Sequence, residues 1–255
     1  RLKKKPTIVV GTPGRLSELI KSKKLKIFET RHIVLDEGDL LLSREHRVTI
    51  KNMINGANPD RQVVVVSATI TDEIERVAGE FMNEPLRIHL DAEHMPKLGE
   101  ITHSYINTTV RDKTDLLRGL SHLKGLQALA FVNHIDQARV KDLKLNYNKA
   151  PIVVLHSNMR SNDRQTALER FRKGDASILI ATDVAARGLD IEGLTHVIHV
   201  DTPHTVEQYV HRSGRTGRAG ADGEVLSLLT PAEERDYRKL TRGIRPVEKI
   251  WRNGR

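Results

Sequence analysis

Six apolar, mostly β-branched runs recur along the chain, each ending in a polar or glycine-bearing cluster. Ile8-Val9-Val10 leads into Gly11-Thr12-Pro13-Gly14-Arg15, Ile33-Val34-Leu35 into Asp36-Glu37-Gly38-Asp39, and Val63 to Val66 into Ser67-Ala68-Thr69. Ile152 to Leu155 leads into His156-Ser157-Asn158, Ile178 to Ala181 into Thr182-Asp183, and Val197 to Val200 into Asp201-Thr202-Pro203. Continuous apolar runs of this length are what strands buried on both faces require. Amphipathic stretches of helical length separate them, and a strand, helix, strand alternation implies parallel sheets. The pattern predicts strands at 7–10, 33–35, 63–66 and 86–90, with helices at 14–24, 44–54 and 71–82. Further strands are expected at 103–108, 128–132, 152–155, 177–181, 196–200 and 223–228, with helices between them. Thr205 to Gln208 and Thr230 to Glu233 have capping-box spacing, the second with Pro231 at the first helical position. In parallel sheets ligands bind beyond the carboxyl ends of the strands, where all six clusters fall.

Residues 91–100 are polar, aperiodic and broken by Pro96 and Gly99, which predicts a linker. The expected organisation is one domain over 1–92, a linker at 93–101, a second domain over 102–230 and a basic helix and tail over 231–255. A length of 255 residues with 38% apolar content suffices for real cores. The chain has no Cys, which excludes disulfides, thiolate catalysis and Cys-ligated zinc and fits a cytoplasmic location. No apolar stretch approaches the roughly 20 residues of a membrane span. The net charge of +9 is unevenly placed: residues 1–26 hold nine Lys/Arg against one acid, residues 235–255 hold eight against two, and the rest is mildly acidic. Two basic ends suggest a polyanion partner, although termini are also charged simply because they are solvated. With aromatics at 4%, contacts to backbone phosphates and sugars are expected over base stacking.

Residues 211–218, His-Arg-Ser-Gly-Arg-Thr-Gly-Arg, bring three rigid, always-charged forks into eight positions and suit a phosphate grip; alone they are equally a solvated basic turn. Asp36-Glu37-Gly38-Asp39 follows a strand, where one carboxylate can hold Mg²⁺ through water and its neighbour can orient and deprotonate an attacking water. Acids after a strand are also routine helix caps. Thr182 to Asp190 offers a hydroxyl, an Arg, a Gly for close backbone approach and a carboxylate suited to a ribose, or a strand-to-helix loop with internal salt bridges.

In order and at these intervals the clusters resemble the DEAD-box family of RNA helicases in helicase superfamily 2, over almost the whole chain. Thr12-Pro13-Gly14-Arg15 is similar to motif Ib, Asp36 to Asp39 to motif II, Ser67-Ala68-Thr69 to motif III, Phe131-Val132-Asn133 to motif IV, Ala181 to Asp190 to motif V, and His211 to Arg218 to motif VI. The resemblance implies an α/β architecture of two RecA-like parallel-sheet domains that close over ATP-Mg²⁺ and grip single-stranded RNA. It implies that Asp36 holds Mg²⁺, Glu37 acts as general base, Arg215 and Arg218 are arginine fingers, and Gly188 and Asp190 contact the nucleotide ribose. It implies that Thr12, Pro13, Gly14, Arg15 and Thr182 touch the RNA backbone, and that Asp39, Ser67, Thr69 and His211 couple the two sites. Gly38 replaces the usual Ala, a change expected to loosen the turn after the strand. No G-x-x-x-x-G-K-[ST] loop occurs in the 255 residues. The family's strand bearing that loop is expected between those ending in Asp36 and Ser67, so the first domain should be incomplete and the chain a piece of a longer protein. The alternatives are an ATPase-silent RNA-binding or partner-binding remnant and a superfamily 2 enzyme acting on DNA.

Overall fold

The computed structural model describes residues 6–67, 69–89, 99–134, 150–156, 159–186, 189 and 191–251. The chain divides into two compact units, residues 1–89 and 90–255.

The first unit runs α1 (Pro13–Lys21), β1 (His32–Leu35), α2 (Gly38–Leu41), α3 (Arg47–Asn55), β2 (Gln62–Val65) and α4 (Asp72–Ala78). Strands β1 and β2 pair in parallel from His32↔Gln62 to Leu35↔Val65. Leu35 and Val63 turn one face onto Leu42, Ile50, Ile54, Ile74 and Val77, the apolar stripes of the helices that cover it. The other face carries Val34 and Val64, 65% and 40% exposed. These strands are therefore not buried on both faces, contrary to their apolar runs. Residues 7–10 and 86–89 form no strand, and Ile8, Val10, Leu86 and Ile88 are exposed. Strand propensity is realised only where a neighbour supplies ladder bonds and cover, and among the described residues neither segment has one. A further correction concerns sheet order: every residue of β1 faces one of β2, so no strand lies between those ending in Asp36 and Ser67.

The second unit contains β3 (Ile101–Asn107), α5 (Asp112–Ser121), β4 (Ala128–Phe131), β5 (Ile152–Leu155), α6 (Ser161–Arg172), β6 (Ile178–Ala181), α7 (Asp183–Ala186), β7 (His196–His199), α8 (Val206–Ser213), β8 (Gly223–Leu229), α9 (Pro231–Leu240) and β9 (Val247–Glu248). Its strands form one seven-stranded sheet in the order β5-β6-β4-β7-β8-β3-β9, every pair parallel. All residues of β4, β5 and β6 are buried, as continuous apolar runs demand. Side-chain alternation sends Ala128 and Ala130 to the core under α5, and Leu129 and Phe131 to the core that receives Phe171 of α6, Tyr209 of α8 and Tyr237 of α9. Helix α8 starts where the Thr205 hydroxyl accepts the Gln208 N–H at 3.1 Å. At α9 the Glu233 carboxylate accepts both the Thr230 N–H and its hydroxyl, at 2.9 and 2.7 Å.

The basic end of the chain is part of this fold. Strand β9 adds to the outer edge of β3, the Lys249 N–H donates to the Tyr105 carbonyl at 2.8 Å, and Trp251 packs against the core under α5. Residues 93–98 of the expected linker lie outside the described residues.

Candidate functional site

In the first unit the acidic box leaves the end of β1. Asp36 is exposed, and one carboxylate oxygen accepts the Glu37 N–H at 3.0 Å. Glu37 sits at φ 55°, ψ 54°, the left-handed region that a non-glycine residue enters at a cost. That turn starts α2 immediately, and the Gly38 N–H donates to the Val66 carbonyl at 2.9 Å. Gly38 itself is not at positive φ. A Cβ there would lie 2.5 Å from Val65 Cγ1, so its glycine answers close packing against β2 and not a looser turn, which corrects the sequence reading. The Ser67 hydroxyl accepts the Asp39 N–H at 3.2 Å and donates to the Thr69 carbonyl at 2.7 Å. One side chain thus joins the end of β1 to the end of β2. At the start of α1, Thr12 holds extended backbone, Pro13 takes the first helical position, and no side chain caps the leading N–H groups. Such an end favours an anion. Arg15 pairs with Glu18 at 2.5 Å, both exposed.

In the second unit Arg212 organises the site. It is 1% exposed, and its fork donates to Asp183 through Nε and Nη2 at 2.8 and 2.6 Å, to the Asp201 carbonyl at 3.0 Å and to Asn133 Oδ1 at 2.7 Å, while lying over the Phe131 ring. Asn133 returns the contact: its N–H donates to the Asp201 carboxylate at 2.9 Å and its amide to the Thr202 carbonyl at 2.9 Å. The carboxyl ends of β4, β6 and β7 are thereby pinned to α8. Burial opposes the Asp183 charge, but Arg212 and Gln208 hold its carboxyl below the usual range. Next to this group His199 is fully buried and its Nδ1 is hydrogen-bonded to the Ser227 hydroxyl at 3.2 Å; burial and then the Arg212 charge push its imidazole well below its ordinary value, keeping it neutral.

Downstream of α8 the chain turns tightly. Thr216, 1% exposed, donates to the Leu194 carbonyl at 2.6 Å, and Gly217 takes φ 69° with a Cβ position only 2.6 Å from Ile101. Arg218 is exposed, and its Nε donates to the Gly214 carbonyl at 2.9 Å, which leaves the outer edge of the guanidinium for a phosphate. Arg215 is half-buried and His211 exposed. Thr182 is buried, and its hydroxyl accepts the Ala185 N–H at 3.3 Å, so its RNA contact would share an oxygen already in use. Gly188 and Asp190 lie outside the described residues.

The structure thus joins Asp39, Ser67 and Thr69 within one unit, and leaves His211, Arg215 and Arg218 on or just after α8. Sequence reasoning missed the central role of Arg212, Asp183 and Asn133. A signal was present: Arg212 falls three residues after Tyr209, on the buried face of α8, where an arginine must be paired.

Among the described residues no three acids, histidines or cysteines form a metal cage. An ion held through one carboxylate and its own waters, as Mg²⁺ commonly is, needs none, and the exposed Asp36 fits that role.

The model of the DEAD/DEAH box helicase family matches residues 1–77, and that of the helicase conserved C-terminal domain residues 112–220. A probable ATP-dependent RNA helicase, YfmL of Bacillus subtilis, is 45% identical over 257 residues, which cover all of this chain and 68% of YfmL. The DEAD-box ATP-dependent RNA helicase CshC of Bacillus cereus is 42% identical over 92% of this chain and 60% of its own, and CshA of Bacillus subtilis 36% identical over 94% and 48%. The chain therefore spans between about half and two thirds of these relatives. Among solved structures, S. cerevisiae Dbp5 bound to RNA and ADP BeF3 superposes with a TM-score of 0.78 at 26% identity, over 94% of this chain and 65% of that one. E. coli SrmB superposes at 0.53 with 31% identity, over 60% of this chain and 91% of that one. With clusters at the carboxyl ends of parallel strands in both units, and a relative this similar over the whole of this chain, the chain belongs to the DEAD-box ATP-dependent RNA helicase family.

Proposed function

We propose that the chain supplies most of the machinery of an RNA-stimulated ATPase that separates short RNA duplexes, an activity of a longer assembly and not of these 255 residues alone. The observation that carries this reading is the bonding of neighbouring clusters: Ser67 ties the acidic box to the end of β2, and Arg212 ties the ends of β4, β6 and β7 to the helix that leads into Arg215 and Arg218. A shift at a bound phosphate thereby moves several strand ends together. In this reading Asp36 holds Mg²⁺ through water, and Glu37 takes the proton of the attacking water. Arg215 and Arg218 stabilise charge on the transferred phosphoryl, a role worth about 10³ to 10⁵-fold in other NTPases. Gly188 and Asp190 face the ribose. Thr12, Pro13, Gly14, Arg15 and Thr182 meet RNA sugars and phosphates, contacts that carry no sequence information. His211, Asp39, Ser67 and Thr69 relay between the two ligands, and the working location is the cytoplasm.

The test measures ATP turnover, with and without single-stranded RNA, for this chain and for this chain joined to the unmatched segment of the B. subtilis relative. We expect silence from the chain alone, RNA-stimulated turnover from the chimera, and loss of that turnover in Arg218→Ala with RNA binding retained. Turnover of Arg218→Ala within a few-fold of the parent would remove it as a finger. The alternative reading is an RNA-binding or partner-binding module without ATPase activity. A chimera that binds RNA yet stays silent would select it.

A further inference from the structure

The segment from Lys21 to Arg31 reads Lys-Ser-Lys-Lys-Leu-Lys-Ile-Phe-Glu-Thr-Arg, five basic residues against one acid, and no part of the site described above uses it. Lys21, Lys23, Lys24 and Lys26 are all exposed, and among the described residues none has an acidic partner. We propose that this turn is a second RNA contact, in which the four lysines hold backbone phosphates and Phe28 offers a ring to a base. The proposal rests on the RNA-binding reading above and extends it to a place that reading leaves empty.

The backbone of the turn supports a role for charge. Helix α1 closes with two crossed bonds, Lys24 N–H to the Leu19 carbonyl at 2.9 Å and Lys23 N–H to the Ile20 carbonyl at 2.9 Å. This is the pairing that ends helices on a left-handed residue, usually glycine. Here the left-handed residue is Lys23, at φ 57°. Glycine would make the same turn at lower cost, so the lysine is unfavourable for the fold while adding a cation at the tip. The turn is also held firmly. Ile27 packs into the space over Gly56, the residue that ends α3, Asn58 N–H donates to the Thr30 carbonyl at 3.2 Å, and Gln62 N–H donates to the Arg31 carbonyl at 2.7 Å at the entry to the sheet. Charges displayed on a fixed loop lose little freedom when they bind.

Phe28 adds the second half of the argument. It is 57% exposed and stands two residues after Lys26 and three before Arg31. An exposed ring beside a row of cations, four lysines before it and Arg31 after it, is the combination that single-stranded nucleic acid recognises without regard to sequence: backbone charge neutralised along the row and a base laid on the ring. An acidic protein would meet the lysines equally well, but the exposed ring beside them, in the unit already read as an RNA contact, favours nucleic acid. The position matters too. Thr12 to Arg15 stand at the amino end of α1 and the lysine turn at the other, about 14 Å away for a nine-residue helix. A strand held at the first cluster reaches the turn only if it continues past it.

The experiment measures binding of a short and a long oligouridylate to the purified chain across a salt series. Lys23→Gly keeps the turn geometry, so its melting temperature should match or exceed the parent's. On the long oligomer it should weaken binding several-fold and lower the slope of log affinity against log salt by about 0.7, one phosphate contact. Lys24→Gln and Lys26→Gln should each do the same, and Phe28→Ala should weaken binding without changing the slope. The short oligomer should be indifferent to all four. Unchanged affinity and slope on the long oligomer would overturn the proposal, as would an equal loss on both lengths. Displacement by polyglutamate without any effect on oligouridylate would reassign the turn to an acidic protein and overturn it too. Failure of the unsubstituted chain to bind any RNA would sink the RNA reading itself, an outcome separate from loss of the turn alone.

Discussion

At the scale of single residues, small changes of volume separate this acidic box from the one it resembles. The Cβ that Ala would place at position 38 meets Val65 Cγ1 at 2.5 Å and the Val66 carbonyl at 3.4 Å. Valine is stiff at χ1, so it cannot swing aside as a longer side chain would. Gly38→Ala should therefore lower stability by about 1–3 kcal/mol, the usual cost of overpacking. Combined with Val65→Ala the penalty should largely vanish, a coupling that thermal melts of the four proteins would measure. A Gly38→Ala chain that melts with its parent would show that Val65 gives way freely. The sequence displayed the glycine but not its reason, because the neighbour that excludes a methyl group is 27 residues away on another strand. Arg212 teaches the converse: its spacing after Tyr209 was visible, while its four partners come from three strand ends.

At the scale of elements, apolar runs located strands where a sheet exists to receive them. All six strands expected after residue 101 are present within a residue or two, and those at 7–10 and 86–89 are not. The difference is cover, since a run such as Ile8-Val9-Val10 has the same local preference with or without a neighbour. The sequence also described the basic end as a helix and a tail, with nothing to show that the tail would return to the sheet. Its charges are in part internal: Lys249 binds the Glu224 carboxylate at 2.6 and 2.8 Å, and Trp251 lies where Gly119 has no side chain. Deleting residues 235–255 would strip Tyr237 and Leu240 from the core as well as removing charge, so RNA binding by such a truncation says little. A sharper test is Trp251→Ala, which should cost about 1.5–3 kcal/mol in urea unfolding. It should also release β9, so the Lys249 amide, bonded to Tyr105, should exchange hydrogen faster. Unaltered protection of that amide would mean that the strand holds without its anchor.

At the scale of the whole molecule, stability should follow pH through groups the sheet buries. Burial depresses the imidazoles of His103 and His199, the second more strongly, so both are neutral when folded and gain protons on unfolding below the ordinary value of 6.5. In that window the unfolded chain binds more protons, and stability must fall as pH falls. Each fully buried imidazole contributes a slope of at most about 1.4 kcal/mol per pH unit. The carboxylates extend the decline at lower pH. Glu224, held by His196, Lys249 and Ser104 against the opposing effect of burial, is lowered to about 2, so its contribution is present above 4.5 and is lost as pH falls from 4.5 to about 2. Two windows should therefore be separable in urea unfolding, one beginning near 6.5 and one near 4.5. His199→Gln, which can keep a bond to Ser227, should flatten the upper window and leave the lower one in place. Glu224→Gln should do the reverse. If His199→Gln falls as steeply as its parent between 6.5 and 4.5, the neutral imidazole at the centre of the sheet is not what makes this unit sensitive to acid, and His103 becomes the residue to substitute.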